Sequence, residues 1–416
     1  MIFVYYDIQI LFERSNKMDL EIKPNNPTTT LNGLLILAMS VASGITVANI
    51  YYLQPLLAQM ASYFQISQTQ AGIMATLVQV GYASGLLLIL PLADRIEKRR
   101  LICVMLSLSA TFLLLFYLSS NRYFSSFIAF GIGFSSIIPQ LLIPYGAQMA
   151  KPEERGRVIG SIMSGLLIGV LLSRVLSGIL SSLFGWRSIF LLATCLMLIL
   201  LLLLRNILPK SVIVSNITYI ESLKSLKPLI FIHQELRVSA FIGAMAFCSF
   251  SAFWTSLTFL LQSSHYRMGP DVAGMFGIVG VVGAFFSPIA GKLTDTKGAR
   301  YTVRLTILII FVSFILFLFF GYHLSGLIVG VILLDLGVQC CNVSNQTNIH
   351  RLCEDARNRI SSIYMVSFFL GGALGSYLGA HFYENFGWIG VCIFGLMTQI
   401  IALLVYFYSF HVCKNS

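Results

Sequence analysis

Runs of mostly apolar residues, each close to the roughly 20 residues that one helical crossing of a 30 Å hydrocarbon layer requires, recur along this chain from residue 33 to residue 410. They fall at about 33–58, 70–92, 101–119, 123–149, 157–181, 187–206, 238–262, 271–293, 302–321, 324–349, 358–383 and 387–410. Only 10% of the residues are charged and 57% are hydrophobic, whereas a soluble domain carries about 25% charge. The surface that water requires is missing, and no stretch is left over for a soluble domain.

The distribution of positive charge fixes an orientation. Of the 27 Lys and Arg residues, all but four lie in one alternate set of loops and the two tails; the exceptions are Arg122, Arg187, Arg267 and Arg174. Cytoplasmic loops carry the excess of Lys and Arg, so both termini and the central loop are expected on the cytoplasmic side. The net charge of +11 is thereby explained without nucleic acid, since no basic face is interleaved with aromatics. The eight cysteines have neither disulfide nor metal-ligand spacing, and they read as packing residues. No metal site is expected.

The sequence also repeats. Leu-Ala-Asp94-Arg95 before a basic run matches Leu-Thr-Asp295-Thr296 before Lys297 and Arg300, at an offset of 201 residues. Arg155-Gly-Arg157 matches Arg357-Asn-Arg359, and Phe-Gly185-Trp186 matches Phe-Gly387-Trp388, both at 202. Six segments separate the matches, so the two halves run parallel, as in repeats related by an axis along the membrane normal. The expected fold is an all-α integral membrane protein of 12 transmembrane helices in two six-helix pseudo-symmetric bundles. The bundles span 33–206 and 238–410, with a cytoplasmic linker at 207–237 and tails at 1–32 and 411–416. Asp7, Glu13 and Arg14 interrupt the first apolar stretch, which argues against a signal peptide; Met18 is an alternative start.

The loop between the second and third segments of each half resembles the Gly-x-Leu-x-Asp-x-x-Gly-x-Arg motif of the major facilitator superfamily. It reads Gly291-Lys-Leu-Thr-Asp295-Thr-Lys-Gly298-Ala-Arg300 in the second half; in the first, Leu90-Pro-Leu-Ala-Asp94-Arg-Ile-Glu97-Lys-Arg keeps the acid but not the glycines. With Asn49-Ile-Tyr-Tyr-Leu-Gln-Pro55 in the first segment, the chain resembles the bacterial drug:proton-antiporter-like or arabinose-efflux-like branch. The resemblance implies alternating access, with segments 1, 4, 7 and 10 lining a cavity and segment 5 at the boundary between halves. It further implies a cytoplasmic latch in which Asp94 faces the start of segment 11 and Asp295 the start of segment 5. There a carboxylate is favoured by the helix dipole, and Arg95, Arg99, Arg155, Arg300 and Arg357 surround it. The branch's Gly-Pro motif of segment 5 is absent, since Gly165-Leu-Leu-Ile-Gly169-Val-Leu-Leu-Ser173 has no proline. Its glycines, with Gly371, Gly375 and Gly379, read as close-packing positions.

Ionisable groups inside a bilayer need an explanation. Of the 16 acids, Asp335 alone lies in the middle of a segment, the tenth, and Gln339, Asn342 and Gln346 follow on the same helical face. The stripe either lines a substrate path or glues helices together. Arg174, in the fifth segment, is the basic residue deep in the apolar layer and sits at similar depth to Asp335. The two are expected to meet or share a polar network, so that protonation of Asp335 couples to rocking. Asn49, Tyr52, Gln54, Gln140, Gln148, Trp254 and Thr255 complete the candidate cavity residues.

The expected activity is secondary transport of a small organic solute across the inner membrane by a multi-pass monomer. It is driven by a proton gradient, requires no cofactor and makes no use of nucleic acid. Efflux is the first reading. Proton-coupled import of a sugar, nucleoside, amino acid or iron chelate is the second, and a non-transporting sensor on the same fold the third. No nucleophile, metal cluster or phosphate loop suggests an enzyme.

Overall fold

The computed structural model describes residues 32–210, 219–285, 292–294, 296–352 and 357–414. Among them there is no β-strand. The helices are α1 Gly33–Ala48, α2 Leu57–Phe64, α3 Gln68–Ile89, α4 Lys98–Leu118, α5 Arg122–Ser135, α6 Ile138–Met149, α7 Arg155–Phe184 and α8 Ser188–Ile207. Two short helices, α9 Tyr219–Lys224 and α10 Leu226–Ile232, occupy part of the linker. Then follow α11 Gln234–Gln262, α12 Pro270–Phe285, α13 Ala299–Phe320, α14 Leu324–His350 and α15 Arg357–Lys414. Among the described residues, nine stretches are long and apolar enough to cross a membrane, one of them the 51-residue run Arg359–Ser409.

Prolines explain where the helices depart from the continuous apolar runs. The first run breaks after α1 into a 3-10 turn, Gln54–Leu56, that carries Pro55. The fourth splits into α5 and α6 at Pro139. Proline has no N–H to give to the preceding turn, so a bend is the low-energy solution. The repeated Phe-Gly-Trp is a second device. Gly185 (φ 83°) ends α7, and Gly387 (φ 63°) is a non-helical point inside α15. Only glycine visits positive φ without a Cβ clash. The turn drops Trp186 and Trp388 into buried positions, where the Trp388 indole N–H donates to the Phe317 carbonyl at 3.0 Å. Gly298 of the basic motif is also left-handed (φ 87°), whereas Glu97, which replaces it in the first half, caps α4 at φ −51°. The first copy of the motif therefore does without glycine there.

The repeat extends to packing. In the first half α1 and α7 approach backbone to backbone, Gly44 against Gly165 and Gly169. In the second half α11 and α15 do the same, with Gly371 on Ala244, Gly375 on Cys248 and Gly379 on Ala252. These glycines are close-packing positions, as their spacing implies.

The halves meet along α3 with α15 and α7 with α12. At the end away from the basic loops, the Thr69 N–H donates to the Glu384 carboxylate at 2.7 Å, and a Cβ on Gly72 would lie 2.5 Å from that of Ala380. Further in, the Thr76 hydroxyl donates to the Ala373 carbonyl and the Gln79 amide to Ser251 and Ser376. Tyr82 lies on Phe369, ring centroids 4.3 Å apart. Toward the basic loops one face of the first turns of α7 is open, and a Cβ on Gly156 or Gly160 would have nothing within 4 Å.

Candidate functional site: a buried charge centre between the halves

Arg174 and Asp335 are both deeply buried, at 2% and 5% relative exposure. Helix α7 carries Arg174 across the boundary between halves. There the guanidinium lies over the Trp254 ring of α11, 3.8 Å from the centroid, with Tyr51 at 5.1 Å and Phe250 at 5.5 Å. Its Nε donates to the Gln54 side-chain oxygen at 3.0 Å. A guanidinium is planar and weakly hydrated, so an indole face and one amide acceptor offset part of its lost hydration. Part is left over: Nη2 has no hydrogen-bond partner.

Asp335, on α14, faces α12. A Cβ on Gly280 would lie 3.0 Å from the carboxyl carbon, and one on Gly277, a turn earlier, 3.1 Å from the Arg174 Cβ. Two glycines one turn apart on α12 thus admit the arginine stem from one half and the carboxyl from the other. Arg174 and Asp335 lie within electrostatic range of each other and of Tyr51. They form no ion pair; among the described residues that contact is Arg300 with Glu235, at 3.4 Å. Asp335 Oδ2 is buried without a partner, as is the indole N–H of Trp254.

The remaining candidates divide. Gln54 and Trp254 belong to this centre. Gln339, Asn342 and Gln346 are half-buried along one face of α14, and Gln346 donates to Asn342 at 3.0 Å. Gln140 is half-buried, with its side chain near the Tyr82 hydroxyl. Gln148 is elsewhere, holding the Lys98 ammonium near the basic loops. Asn49 is buried in the first half, donating to Ser136 and Met197. Thr255 donates to Ser376 at 3.1 Å and so joins the Gln79 network. The Tyr52 carbonyl accepts from Ser177, and its ring is buried.

Of the expected latch, Asp295 and the Asp94 side chain lie outside the described residues. Arg95, Arg155 and Arg357 are exposed, Arg99 donates to the Leu208 carbonyl at 3.3 Å, and Arg300 pairs with Glu235 inside its own half. Sequence reasoning missed Tyr51 and Phe250 as arginine neighbours and Gln79 as a bridge between halves. It also missed the notch on α12, although Gly274-x-x-Gly277-x-x-Gly280 is visible as a helical stripe.

The sequence profile of the Major Facilitator Superfamily matches residues 39–334 and 240–412. The chain is 38% identical over 389 residues to the Uncharacterized transporter YgaY of Escherichia coli O157:H7, covering 94% of this chain and 98% of that one. It is 30% identical to the Probable transporter SCO4007 of Streptomyces coelicolor, over 88% and 85% of the two chains. Its fold is similar to the crystal structure of the nucleoside transporter NupG (TM-score 0.73, 12% identity, 90% and 98% coverage). Family, relatives and apolar helices agree: the chain belongs to the Major Facilitator Superfamily and is a membrane transporter, not an enzyme.

Proposed function

We propose that the protein is a secondary active transporter of a small organic solute that works by alternating access and exports it across the inner membrane in exchange for protons moving inward down their gradient. The observation that carries this reading is Arg174, a buried charge of the first half seated among aromatic rings of the second, beside the unpaired carboxylate of Asp335. Any rocking of one half on the other pulls the guanidinium off Trp254 and changes the field at Asp335. A proton arriving at Asp335 changes the same balance from the other side. That reciprocity is what coupling requires.

Twelve crossings with both termini cytoplasmic complete the reading. The nine long apolar stretches become twelve when Gly33–Phe64 and α12 are added and the 51-residue run is divided at Gly387. The basic loops then face the cytoplasm. The contacts between halves run from Thr69 and Glu384 to Tyr82 and Phe369, while the face of α7 carrying Gly156 and Gly160 is open, which corresponds to a centre closed from the outside. The test is uptake and efflux of a solute panel in proteoliposomes, with and without an imposed pH gradient. Solute movement that follows the gradient supports proton coupling; equal movement without it identifies a uniporter.

A further inference from the structure

We propose that the charge centre binds a short zwitterion, of the class of an α-amino acid with an apolar side chain, its carboxylate on Arg174 and its ammonium on Asp335. This names the solute class of the transport site above and rests on that reading.

The site states its own requirements. Arg174 Nη2 and the Trp254 indole N–H are buried donors without an acceptor, and Asp335 Oδ2 is a buried atom without a donor. A ligand that completes the centre therefore presents an acceptor to the first two and a donor to the third. Arg174 carries a full charge and Asp335 carries one whenever its proton has left, so charge-assisted bonds at each end are the strongest available. A ligand with net charge would satisfy one group and leave the other buried and uncompensated, which is strongly destabilising. A net-neutral ligand with separated charges satisfies both. The ligand's charges are best close together: the arginine stem and the carboxyl rest on Gly277 and Gly280, about 4.5 Å apart along α12 for three residues of helix, and the guanidinium and carboxyl lie within electrostatic range of each other. An α-amino acid separates its charges by one carbon. The rings of Tyr51, Phe250 and Trp254 around the guanidinium suit an apolar or aromatic side chain. Ammonium binding and protonation compete for one carboxylate, so the same atom links solute to proton.

The experiment uses the full chain in detergent, with isothermal calorimetry against three isosteres: L-phenylalanine, phenethylamine and 3-phenylpropionate. The leucine series (L-leucine, 3-methylbutylamine, 4-methylpentanoate) is run beside it. The wild type should bind a zwitterion at least tenfold more tightly than its amine or acid. Arg174→Gln should reverse the preference toward the amine, and Asp335→Asn toward the acid. A misfolded variant cannot gain a ligand, so the exchange of preference separates recognition from stability. Equal or tighter binding of amine or acid by the wild type, or an unchanged preference in both variants, overturns the proposal. Counterflow in proteoliposomes, with D-glucose and tetraphenylphosphonium beside the amino acids, keeps the two readings apart. Movement of either without any amino acid overturns the zwitterion and leaves transport standing; no movement of any solute overturns both.

Discussion

The Arg174 guanidinium lies over the Trp254 indole ring, 3.8 Å from cation centre to ring centroid, and each belongs to a different half of the protein. Few single contacts report so directly on the relation between the halves, because separating them exposes a buried charge.

Trp254→Leu should therefore lower stability by about 2 kcal/mol, the value of a desolvated cation–π contact, beyond the loss of ring packing. Trp254→Phe keeps a weaker face and should fall between. Arg174→Lys keeps the charge but loses the planar stack and the Nε donor to Gln54, and it should destabilise as well. Thermal melting of the purified chain in detergent measures all three.

Arg174→Ala and Asp335→Asn should each reduce gradient-driven transport more than tenfold. Asp335→Asn retains the shape of the side chain against Gly280, so its melting temperature should change little while transport is lost. Full proton-coupled transport by Asp335→Asn in proteoliposomes removes Asp335 from the coupling scheme.

Glu384 lies three residues before the non-helical Gly387 of α15, where it ties that helix to the start of α3. Hydrogen bonding from Thr69 first, with Ser67 and the charge of His381 adding to it, holds its carboxyl below the usual 4.5. A group depressed in this way contributes above its ordinary value and loses its contribution as pH falls through the depressed one. The tie should accordingly persist at neutral pH and weaken on acidification below about 4.5. Spin labels on the two halves at this end should show a broader distance distribution there, and Glu384→Gln should show it already at pH 7.

Gly169→Val would force a side chain into the backbone of Gly44. It should cost toward the upper end of the ~1–3 kcal/mol typical of overpacking and reduce the yield of folded protein. Gly160→Ala, on the same helix but with nothing within 4 Å, should melt at or slightly above the wild-type temperature. The pair distinguishes a packing glycine from one that is merely helical.

Sequence alone was sufficient for the helical class, the internal repeat and the family, because these depend on periodic or local properties: run length, charge placement and recurring motifs. The same holds for Phe-Gly-Trp, whose glycines take positive φ in both halves for a reason local to the turn. Asp335 and Arg174 were also legible as buried charges, since ionisable groups stand out against an apolar segment.

Which partners those charges take was decided by tertiary structure. Arg174 and Asp335 match in depth, and pairing by charge alone would join them, yet the guanidinium rests on Trp254 and the carboxyl on Gly280. Helix rotation sets that outcome, and rotation comes from packing across the whole bundle. The repeat shows the same limit. At an offset of 202, Asp335 corresponds to Gly133 and Gly280 to Val78. In the first half a Cβ on Gly133 would meet the Val78 backbone, so the helices close where the second half keeps a carboxyl. Arg174 corresponds in turn to Ser376, which accepts from Gln79 at 3.1 Å. At this depth one boundary between the halves thus holds a buried charge, whereas the other is bridged at Ser376 by a neutral hydrogen bond. The sequence determines the symmetric scaffold because both halves carry its signals; the charged boundary depends on one glycine notch that only the packed helices bring beneath two distant side chains.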